Sequence, residues 1–415
     1  MTSMSQERVS LSPLHTLVPL GIFALGVLVA IYGVVSEPAR TWPTLLIDGF
    51  YVTTLTLAPL FFLVTQRLTN ARWSAGIRRV PEALMWGLPI ACLLLLAVWA
   101  GRQTLYPWAR PGAFAHEPAV AGKVTYLAAP WIYVRPVVSM VLWCVFALLF
   151  RRASLAQDAS PSQALPVHNR LNRYSVYFLI IFAFTLTFNA YDWLISLDPS
   201  WFSTMFGVYV FAGTFVQGIA AVTLATVLLR ERGYMRGVVG DKQLHDLGKM
   251  LFAFSTFWGY IWTCQYLLIW YANIPEEVTH YIPRTGGWWV YLFALNFLMN
   301  FVAPFTVLLS AKAKITTRVL KIITVVVLVG HWLDLYLIVA PATRPDPKLG
   351  VIELFTAVGW VALFYAIFAR QIGRAPIVPV NDPVLRAEML MEEHAHGHLH
   401  AGGSLAHQHA GGERP

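Results

Sequence analysis

Long apolar runs separated by short polar segments make up almost the whole chain. Ten of these runs reach about 20 residues, the length that crosses a bilayer as an α-helix. They lie at about 14–35, 43–66, 83–101, 131–150, 175–196, 202–229, 250–271, 287–310, 319–340 and 351–369. The pattern predicts an all-α polytopic membrane protein in which residues 1–371 form a ten-helix membrane domain.

Lys and Arg are concentrated in alternate segments between the apolar runs. About three quarters of the 30 basic residues fall on the side that also holds both chain ends, as expected of cytoplasmic loops. This asymmetry predicts that both termini are cytoplasmic, and it accounts for the net charge of +9. Nucleic-acid binding is not expected, because the basic residues do not form one continuous stripe.

Composition supports the membrane assignment and narrows the remaining chemistry. Hydrophobic residues make up 57% of the chain and charged residues 12%, whereas soluble domains carry about 25% charged residues. Cys92, Cys144 and Cys264 lie in apolar runs without CxxC spacing, so we interpret them as packing residues. The first apolar run lacks a small-residue cleavage site, so it is predicted to be retained as a helix.

The segment 372–415 is polar, rich in Gly and Ala, and holds half of the 12 histidines. This composition predicts a disordered cytoplasmic tail. Its HAHGHLH and HQH runs could bind a divalent metal adventitiously, although a solvated extension is the simpler interpretation.

Few ionisable side chains lie inside the predicted spans. A charged side chain at the centre of a membrane helix costs about 2.5–3.5 kcal/mol on insertion scales, so each one is a candidate functional group. The candidates for proton transfer are Asp48, Arg135, Asp192, His331, Asp334 and Glu353. The predicted orientation puts all six in the outer half of the bilayer and leaves the inner half almost uncharged. Such an arrangement suits the outward release of protons.

His331 and Asp334 form the strongest candidate pair. Residues three apart project from the same helix face, so an imidazole and a carboxylate would face the same way. A His oriented by a carboxylate is a common proton-relay element, and a buried hydrogen-bonded pair that fixes helix packing is the alternative. Arg135, Asp48 and Glu353 also have a structural interpretation, because buried charges are normally paired.

No residue set for a bound haem or metal is evident. A membrane haem commonly needs two histidines on facing helices, whereas only His331 lies deep in a span and CxxCH is absent. His15, His245 and His280 lie at span boundaries. We therefore expect no metal or cofactor bound by this chain, and any redox cofactor would belong to partner subunits.

Three aromatic residues are candidates for a quinone site. Trp258, Trp262 and Tyr271 lie in one apolar run at helical spacing, and their rings could stack on a quinone ring. Residues of this kind more often pack in the core or face lipid. A single sequence does not show which helices would form the cleft that such a site needs.

Three segments together resemble a known family. They are FNAYDWLISLDPSWFSTMFGVYVFAG (188–213), the aromatic segment 244–277 and GHWLDLYLIVAP (330–341). They resemble the polysulfide-reductase-like (NrfD-like) membrane subunits of alternative complex III, in particular the second, ActF-type subunit. The resemblance runs from about residue 43 to residue 370.

The resemblance implies a fold, a location and a set of partners. Helices two to five and six to nine would form two four-helix bundles, at about 43–196 and 202–340, flanked by the helices at 14–35 and 351–369. Such a protein would belong to a quinol:cytochrome c (or other periplasmic acceptor) oxidoreductase in the bacterial inner membrane. Its implied partners are a multihaem c-type cytochrome and an iron–sulfur subunit, which would carry haem c and the clusters, a homologous NrfD-like membrane subunit, membrane lipid and a terminal oxidase.

The resemblance also implies roles for single residues. The subunit of that complex thought to oxidise quinol carries a GIGHAGT-like motif in an early helix, and no such motif occurs here. The sister subunit, whose suggested role is proton conduction coupled to quinol oxidation, is the better match. Asp192 in AYDWL, and His331 with Asp334 in GHWLDLY, match the implied proton carriers. Asp198 also matches, but as a loop residue it could initiate the turn or cap the next helix.

The sequence leaves two other classes of function as alternatives, a structural anchor and a secondary transporter. In a structural anchor of the same complex, the polar groups would hold helices and subunits together without a proton or quinone site. A secondary transporter would show broken helices at matching positions of two repeats. Pro130, Pro136 and Pro304 give only scattered interruptions, so a transporter is not favoured.

Overall fold

The computed structural model describes residues 7–116, 118–128 and 130–390. Within these ranges the chain is helical and has no strand, which confirms the predicted all-α class. The long helices are α1 (Leu14–Ser36), α2 (Pro38–Leu68), α3 (Arg79–Leu105), α4 (Trp131–Ala159), α5 (Ala164–Trp193), α6 (Phe206–Glu231), α7 (Asp241–Ala272), α8 (Trp289–Val307), α9 (Thr317–Val339) and α10 (Val351–Ile372).

Nine helices in the described part of the chain are long and apolar enough to cross a membrane. The long helix outside this set is α7, which has 32 residues but many aromatic and polar side chains that lower its mean hydropathy. At about 1.5 Å per residue it is longer than the roughly 30 Å hydrocarbon core of a bilayer. The molecule is therefore an all-α polytopic membrane protein, and the tenth span and the cytoplasmic termini stay predictions.

Contacts join the start of one long helix to the end of the next, as between Arg135 of α4 and Asp192 of α5 and between Trp289 of α8 and Pro345 after α9. Successive long helices therefore run in opposite directions, and the molecule has two ends. The end with the connections 69–78, 160–163, 232–240 and 308–316 is called the basic face, and the other end is called the opposite face. The sequence predicts that the basic face is cytoplasmic.

The helices pack as two bundles of four. Bundle one contains α2 to α5 and bundle two contains α6 to α9, and in each bundle every helix packs against its neighbours in sequence and the last packs against the first. The bundles meet along α2 and α6, which are the most buried of the long apolar helices. These two helices therefore form the centre of one continuous hydrophobic core.

α1 and α10 form a pair outside the bundles. Gly26 and Gly359 meet where the two helices cross, and a Cβ added at Gly26 would lie 2.8 Å from the carbonyl oxygen of Phe355. Small residues allow membrane helices to approach this closely. The remaining surface of α1 is mostly apolar and exposed, as expected of a helix that faces lipid.

α8 is not a regular helix. Leu298–Val302 forms a π-helical turn and Pro304 follows it. At this turn Asn300 lies so close to α9 that a Cβ on Gly330 would be 2.6 Å from its Oδ1. A π-helical turn changes the direction of the side chains around it and is frequent at functional sites. Here the turn begins two residues after Asn296, which belongs to the site described below.

Large aromatic side chains are exposed around the opposite face. Trp131, Trp270, Tyr271, Trp288 and Tyr291 are each more than half exposed. They lie at the ends of α4, α7 and α8 that reach this face. Because Trp and Tyr favour the membrane–water interface, we expect these residues to lie where the helices leave the bilayer.

The first part of the predicted disordered tail is ordered. Residues 373–390 pack on the basic face, where Ile377 and Asp382 are buried. The N–H of Ile377 also donates to the carbonyl oxygen of Glu7 at 2.9 Å. The prediction of disorder from residue 372 is therefore wrong for this part, because apolar contacts and an ion pair hold it. The His-rich remainder, from residue 391, lies outside the described residues.

Candidate functional site

Asp334 lies in α9 in the interior of bundle two, with only 5% of its surface exposed. Its Oδ1 accepts hydrogen bonds from Nδ2 of Asn296 on α8, at 2.8 Å, and from the hydroxyl of Tyr209 on α6. Both donors are neutral, and no described Lys or Arg forms an ion pair with Asp334. A buried carboxyl group with neutral partners can exist in a protonated as well as an ionised form.

Two small cavities lie on either side of Asp334. The outer cavity, of about 30 Å³, extends from Asp334 to His280 and Arg284 near the opposite face. The inner cavity, of about 20 Å³, extends from Asp334 to His331 and Gln217. The outer cavity has room for about two or three waters and the inner cavity for about one or two, since one water needs about 10–15 Å³. Asp334 therefore joins two small cavities that each contain polar side chains, and ordered waters would connect them into one hydrogen-bonded path.

His331 lines the inner cavity but forms no hydrogen bond with Asp334. Its Nε2 is buried and has no hydrogen-bond partner among the described residues, and its ring packs edge-on against Trp258 at 5.9 Å between ring centroids. The predicted side-chain pair is therefore not formed, because Tyr209 and Asn296 bind the carboxylate instead. The helical spacing does place both residues on one cavity, where water can link them.

Asp192 and Arg135 form an ion pair in bundle one. Arg135 donates from Nη2 to Oδ1 at 2.7 Å and from Nε to Oδ2 at 3.1 Å. The guanidinium also lies 3.9 Å from the centre of the Tyr126 ring. This two-point contact joins α4 to α5. It agrees with the interpretation of Arg135 as a buried charge that is paired for structural reasons. It leaves Asp192 little freedom to exchange a proton.

Glu353 is likewise bound to cations. Its carboxylate accepts hydrogen bonds from Arg40 at 2.6 and 2.8 Å and from Arg344 at 3.1 Å. It also accepts the N–H of Gly350 at 3.0 Å and so caps the first turn of α10. These contacts tie the start of α2 to the loop after α9 and to the start of α10. The structural interpretation therefore accounts for Glu353.

Asp48 differs from Asp192 and Glu353, because no described Lys or Arg forms an ion pair with it. Its Oδ1 accepts the indole N–H of Trp332 at 2.8 Å, and its Oδ2 is buried without a hydrogen-bond partner. Trp332 stacks on Tyr336, with 5.5 Å between ring centroids. Asp48 is a second carboxyl group that could gain a proton, but it lines neither the outer nor the inner cavity.

The three aromatic candidates for quinone stacking do not form a common cleft. Trp258 is completely buried, whereas Tyr271 is 85% exposed. Trp262 stacks on Phe297, with 4.9 Å between ring centroids, and lines the outer cavity. The structure therefore brings only Trp262 to a cavity that also contains Asp334.

Sequence analysis missed three residues at this site: Tyr209, His280 and Arg284. A signal for Tyr209 exists, since GFYV at 49–52 in α2 and GVYV at 207–210 in α6 lie in the first helix of each bundle. Arg284 had no such signal, because nothing in the sequence distinguishes a buried loop arginine from an exposed one. Burial lowers the pKa of Arg284 to about 10, so its guanidinium stays charged at neutral pH.

A second group of buried charges lies at the basic face. Glu82, in the first turn of α3, accepts hydrogen bonds from Arg79 at 2.8 Å and from Arg151 at 2.9 Å. Asp382 of the C-terminal segment pairs with Arg78. Glu82 and Arg151 lie just outside the predicted spans 83–101 and 131–150, so the expectation of an almost uncharged inner half stays a prediction. Each of these carboxylates is paired, which indicates a structural role.

Among the described residues, no three His, Cys, Asp or Glu side chains lie close enough to hold a metal ion. Cys92, Cys144 and Cys264 are free thiols. Comparison with known proteins finds no family model that matches the chain and no curated protein that matches it. The function of the site is therefore inferred from its geometry and from the three segments quoted above.

Proposed function

We propose that this chain is a membrane subunit of a quinol:cytochrome c oxidoreductase of the alternative complex III type, and that bundle two carries protons toward the opposite face. The observation that carries the proton role is Asp334, a buried carboxyl group with neutral partners, which lies between two small cavities that each contain polar side chains. The resemblance of the three quoted segments suggests the complex, and the polytopic helical architecture suits such a subunit.

Proton movement needs a group that gains and loses a proton, and waters on both sides of it. Asp334 is such a group, and the outer and inner cavities have room for the waters. Asp192 and Glu353 would first have to leave their arginine partners, which is costly inside a protein. Of the six sequence candidates, Asp334 and His331 are the two that line these cavities.

Electrons would pass through partner subunits and not through this chain. Quinol oxidation releases electrons and protons in equal number. The electrons would go to the iron–sulfur clusters and c-type haems of the partners, and from there to a periplasmic acceptor or a terminal oxidase. The protons would leave at the opposite face, on the periplasmic side of a bacterial inner membrane. This chain would therefore supply proton transfer without being catalytic alone.

Asp334→Asn tests the proton role, because an amide keeps the size of the side chain but cannot carry a proton in this way. In the complex purified from native membranes and reconstituted in liposomes, we expect normal subunit content and fewer protons released outside per electron. Asp241→Asn, on the exposed start of α7, is the control and should leave this ratio unchanged. An unchanged ratio in Asp334→Asn would reject the proton role.

The proposed complex has its own test. The chain is extracted from native membranes in mild detergent and captured, and the co-purifying proteins are identified by haem staining and mass spectrometry. We expect a multihaem c-type cytochrome, an iron–sulfur subunit and a second membrane protein of similar helix content. A chain that purifies alone would contradict membership of this complex.

A structural anchor of the same complex is the second candidate function. It is favoured by the ion pairs Arg135–Asp192, which connects α4 to α5, and Arg40–Glu353, which connects α2 to α10. An anchor without a proton site predicts that Asp334→Asn alters assembly or has no effect. The proton role predicts intact assembly with impaired proton release, so one preparation separates the two functions.

A further inference from the structure

The connection between α7 and α8, residues 273–288, closes the outer cavity on the side of the opposite face. Arg284 holds it in place by donating to the carbonyl oxygens of Leu337 at 2.8 Å and Ile338 at 2.7 Å, at the end of α9. Arg284 also donates to the carbonyl oxygen of His280. These three acceptors are backbone groups, so the guanidinium brings a charge to the cavity that its hydrogen-bond acceptors do not cancel.

His280 lies between the outer cavity and the surface. Its ring lines the cavity, stacks on the indole of Trp201 at 3.8 Å between centroids, and keeps 9% of the residue exposed. Its Nδ1 is buried and has no hydrogen-bond partner among the described residues. A buried nitrogen of this kind normally binds an ordered water, and the outer cavity, which also reaches Asp334, has room for one.

The charge of Arg284 affects the proton affinity of His280. Burial, and then the nearby guanidinium, hold the pKa of His280 well below its ordinary value. The ring is therefore neutral at physiological pH, with one nitrogen that accepts and one that donates. A proton added to the ring is therefore held weakly. The other titratable groups that face this region are Asp334 on α9, Tyr209 on α6, Tyr281 on the connection and Asp198 on the loop before α6.

We propose that His280 is the exit relay of the Asp334 proton path, and that Arg284 is the fixed charge that keeps the relay neutral between transfers. This inference rests on the proposed function and identifies the outer end of the path. A proton from a water bound to Asp334 goes to Nδ1 of His280, and the proton on Nε2 goes to solvent at the opposite face. No electron moves, and reorientation of the imidazole restores the starting tautomer.

His280→Phe tests the relay, because phenylalanine can stack on Trp201 but has no ring nitrogen. In the whole complex reconstituted in liposomes, we expect normal subunit content and proton release slowed on the order of ten-fold or more, as for the loss of a positioned proton carrier. Imidazole added outside should restore part of the rate. Normal release without any response to imidazole would overturn the proposal, because packing alone would explain the residue.

His15→Phe is the matched control. The Nδ1 of His15 lies 2.8 Å from the hydroxyl of Tyr365, in the contact between α1 and α10, and the residue lines neither cavity. We expect this variant to release protons at the rate of the unmodified complex. A similar loss of rate in both histidine variants would contradict a specific role for His280.

Arg284→Gln tests the fixed charge. Without the cation, His280 would hold its proton more strongly, so we expect the pH profile of proton release to shift to higher pH. Arg284→Lys keeps the charge, and its profile should stay close to that of the unmodified complex. An unshifted profile in Arg284→Gln, with normal subunit content, would reject the role of Arg284.

Asp334→Asn is measured together with His280→Phe, so that a failure of the proposed proton role can be distinguished from a failure of the proposed exit through His280. If Asp334→Asn impairs release and His280→Phe does not, the exit through His280 is wrong and the proposed proton role stands. If neither variant changes release, the proton role itself is wrong. Impaired release in both, with rescue by imidazole in His280→Phe alone, supports the relay.

Discussion

At the scale of single residues, the partner of a carboxylate determines what the carboxylate can do. Asp192 and Asp334 both lie near the end of the last helix of a bundle, and both are buried. Asp192 binds the guanidinium of Arg135, whereas Asp334 binds the neutral side chains of Tyr209 and Asn296. Both residues could be selected from the sequence, because each lies inside a predicted span, where a charged side chain costs free energy. The side chains that bind them come from other helices, and these contacts distinguish the two residues.

Tyr209→Phe should slow proton release without unfolding the chain. The variant removes one of the two donors to Asp334, and a hydrogen bond to a charged group contributes about 1.5–3 kcal/mol, which corresponds to roughly ten-fold or more in rate. The measurement is proton release by the reconstituted complex. Tyr191→Phe is the control, because that hydroxyl contacts only backbone carbonyl oxygens. Equal effects of the two variants would contradict a specific role for Tyr209.

Gly330→Ala should destabilise bundle two. The new Cβ would lie 2.6 Å from Oδ1 and 2.9 Å from Cγ of Asn300, so α8 and α9 must move apart at a cost of about 1–3 kcal/mol. We expect a lower midpoint of thermal unfolding in detergent. Gly21→Ala is the matched control, since nothing lies within 4 Å of its added Cβ. Equal midpoints for the two variants would show that the contact at Gly330 relaxes freely.

At the scale of helices, apolar runs in the sequence predict well where a helix lies along the chain. They predict poorly where a helix departs from regular α-helical geometry. The run at 43–66 lies within α2 (Pro38–Leu68), which continues past it because backbone hydrogen bonds do not need apolar side chains. The π-helical turn Leu298–Val302 in α8 had no signal in the sequence. Its position beside Gly330 depends on the contact between α8 and α9, which a pattern along one chain does not contain.

Asn296→Arg should give bundle two the ion pair of bundle one. Arg135 and Asn296 both lie on the third helix of their bundle and donate to an aspartate on the fourth. We expect assembly to be kept and proton release to be lost, because the guanidinium would hold Asp334 ionised. Asn296→Gln keeps a neutral donor and should retain release. Normal release in Asn296→Arg would place the proton path elsewhere.

At the scale of the whole molecule, the sequence contains the candidate groups and the fold determines which of them meet. His331 and Asp334 could be predicted to share a cavity because they lie on one helix face. Arg284 could not be assigned to the same region, since it reaches α9 from a loop far away in sequence. Tertiary contacts of this kind explain why the site was found in part and its outer end was missed.

The C-terminal segment, residues 373–390, packs over the basic face. Residues 373–390 cover the ends of the bundles through the ion pair of Asp382 with Arg78 and the hydrogen bond from the N–H of Val380 to Asp158 at 3.1 Å. Arg67 lies in the same region, buried, with no hydrogen-bond partner for its Nε and Nη1 among the described residues. Its charge adds to the attraction that holds Asp382 ionised.

Acid should therefore release this segment. Burial raises the pKa of Asp382, but Arg78 and then Arg67 outweigh it, so the pKa lies below its ordinary value. The contribution of the carboxylate to stability is fully present above the unfolded-state pKa of about 3.9 and is lost as the pH falls from there through the folded-state value.

Hydrogen exchange of residues 373–390, corrected for the intrinsic effect of pH, measures this release. We expect protection of the segment at neutral pH and its loss below about pH 4. Asp382→Asn should be unprotected already at neutral pH, because it leaves Arg78 buried without its partner, at a cost of about 3–5 kcal/mol. Protection that is the same in the variant and the unmodified chain would mean that apolar contacts such as those of Ile377 hold the segment without the ion pair.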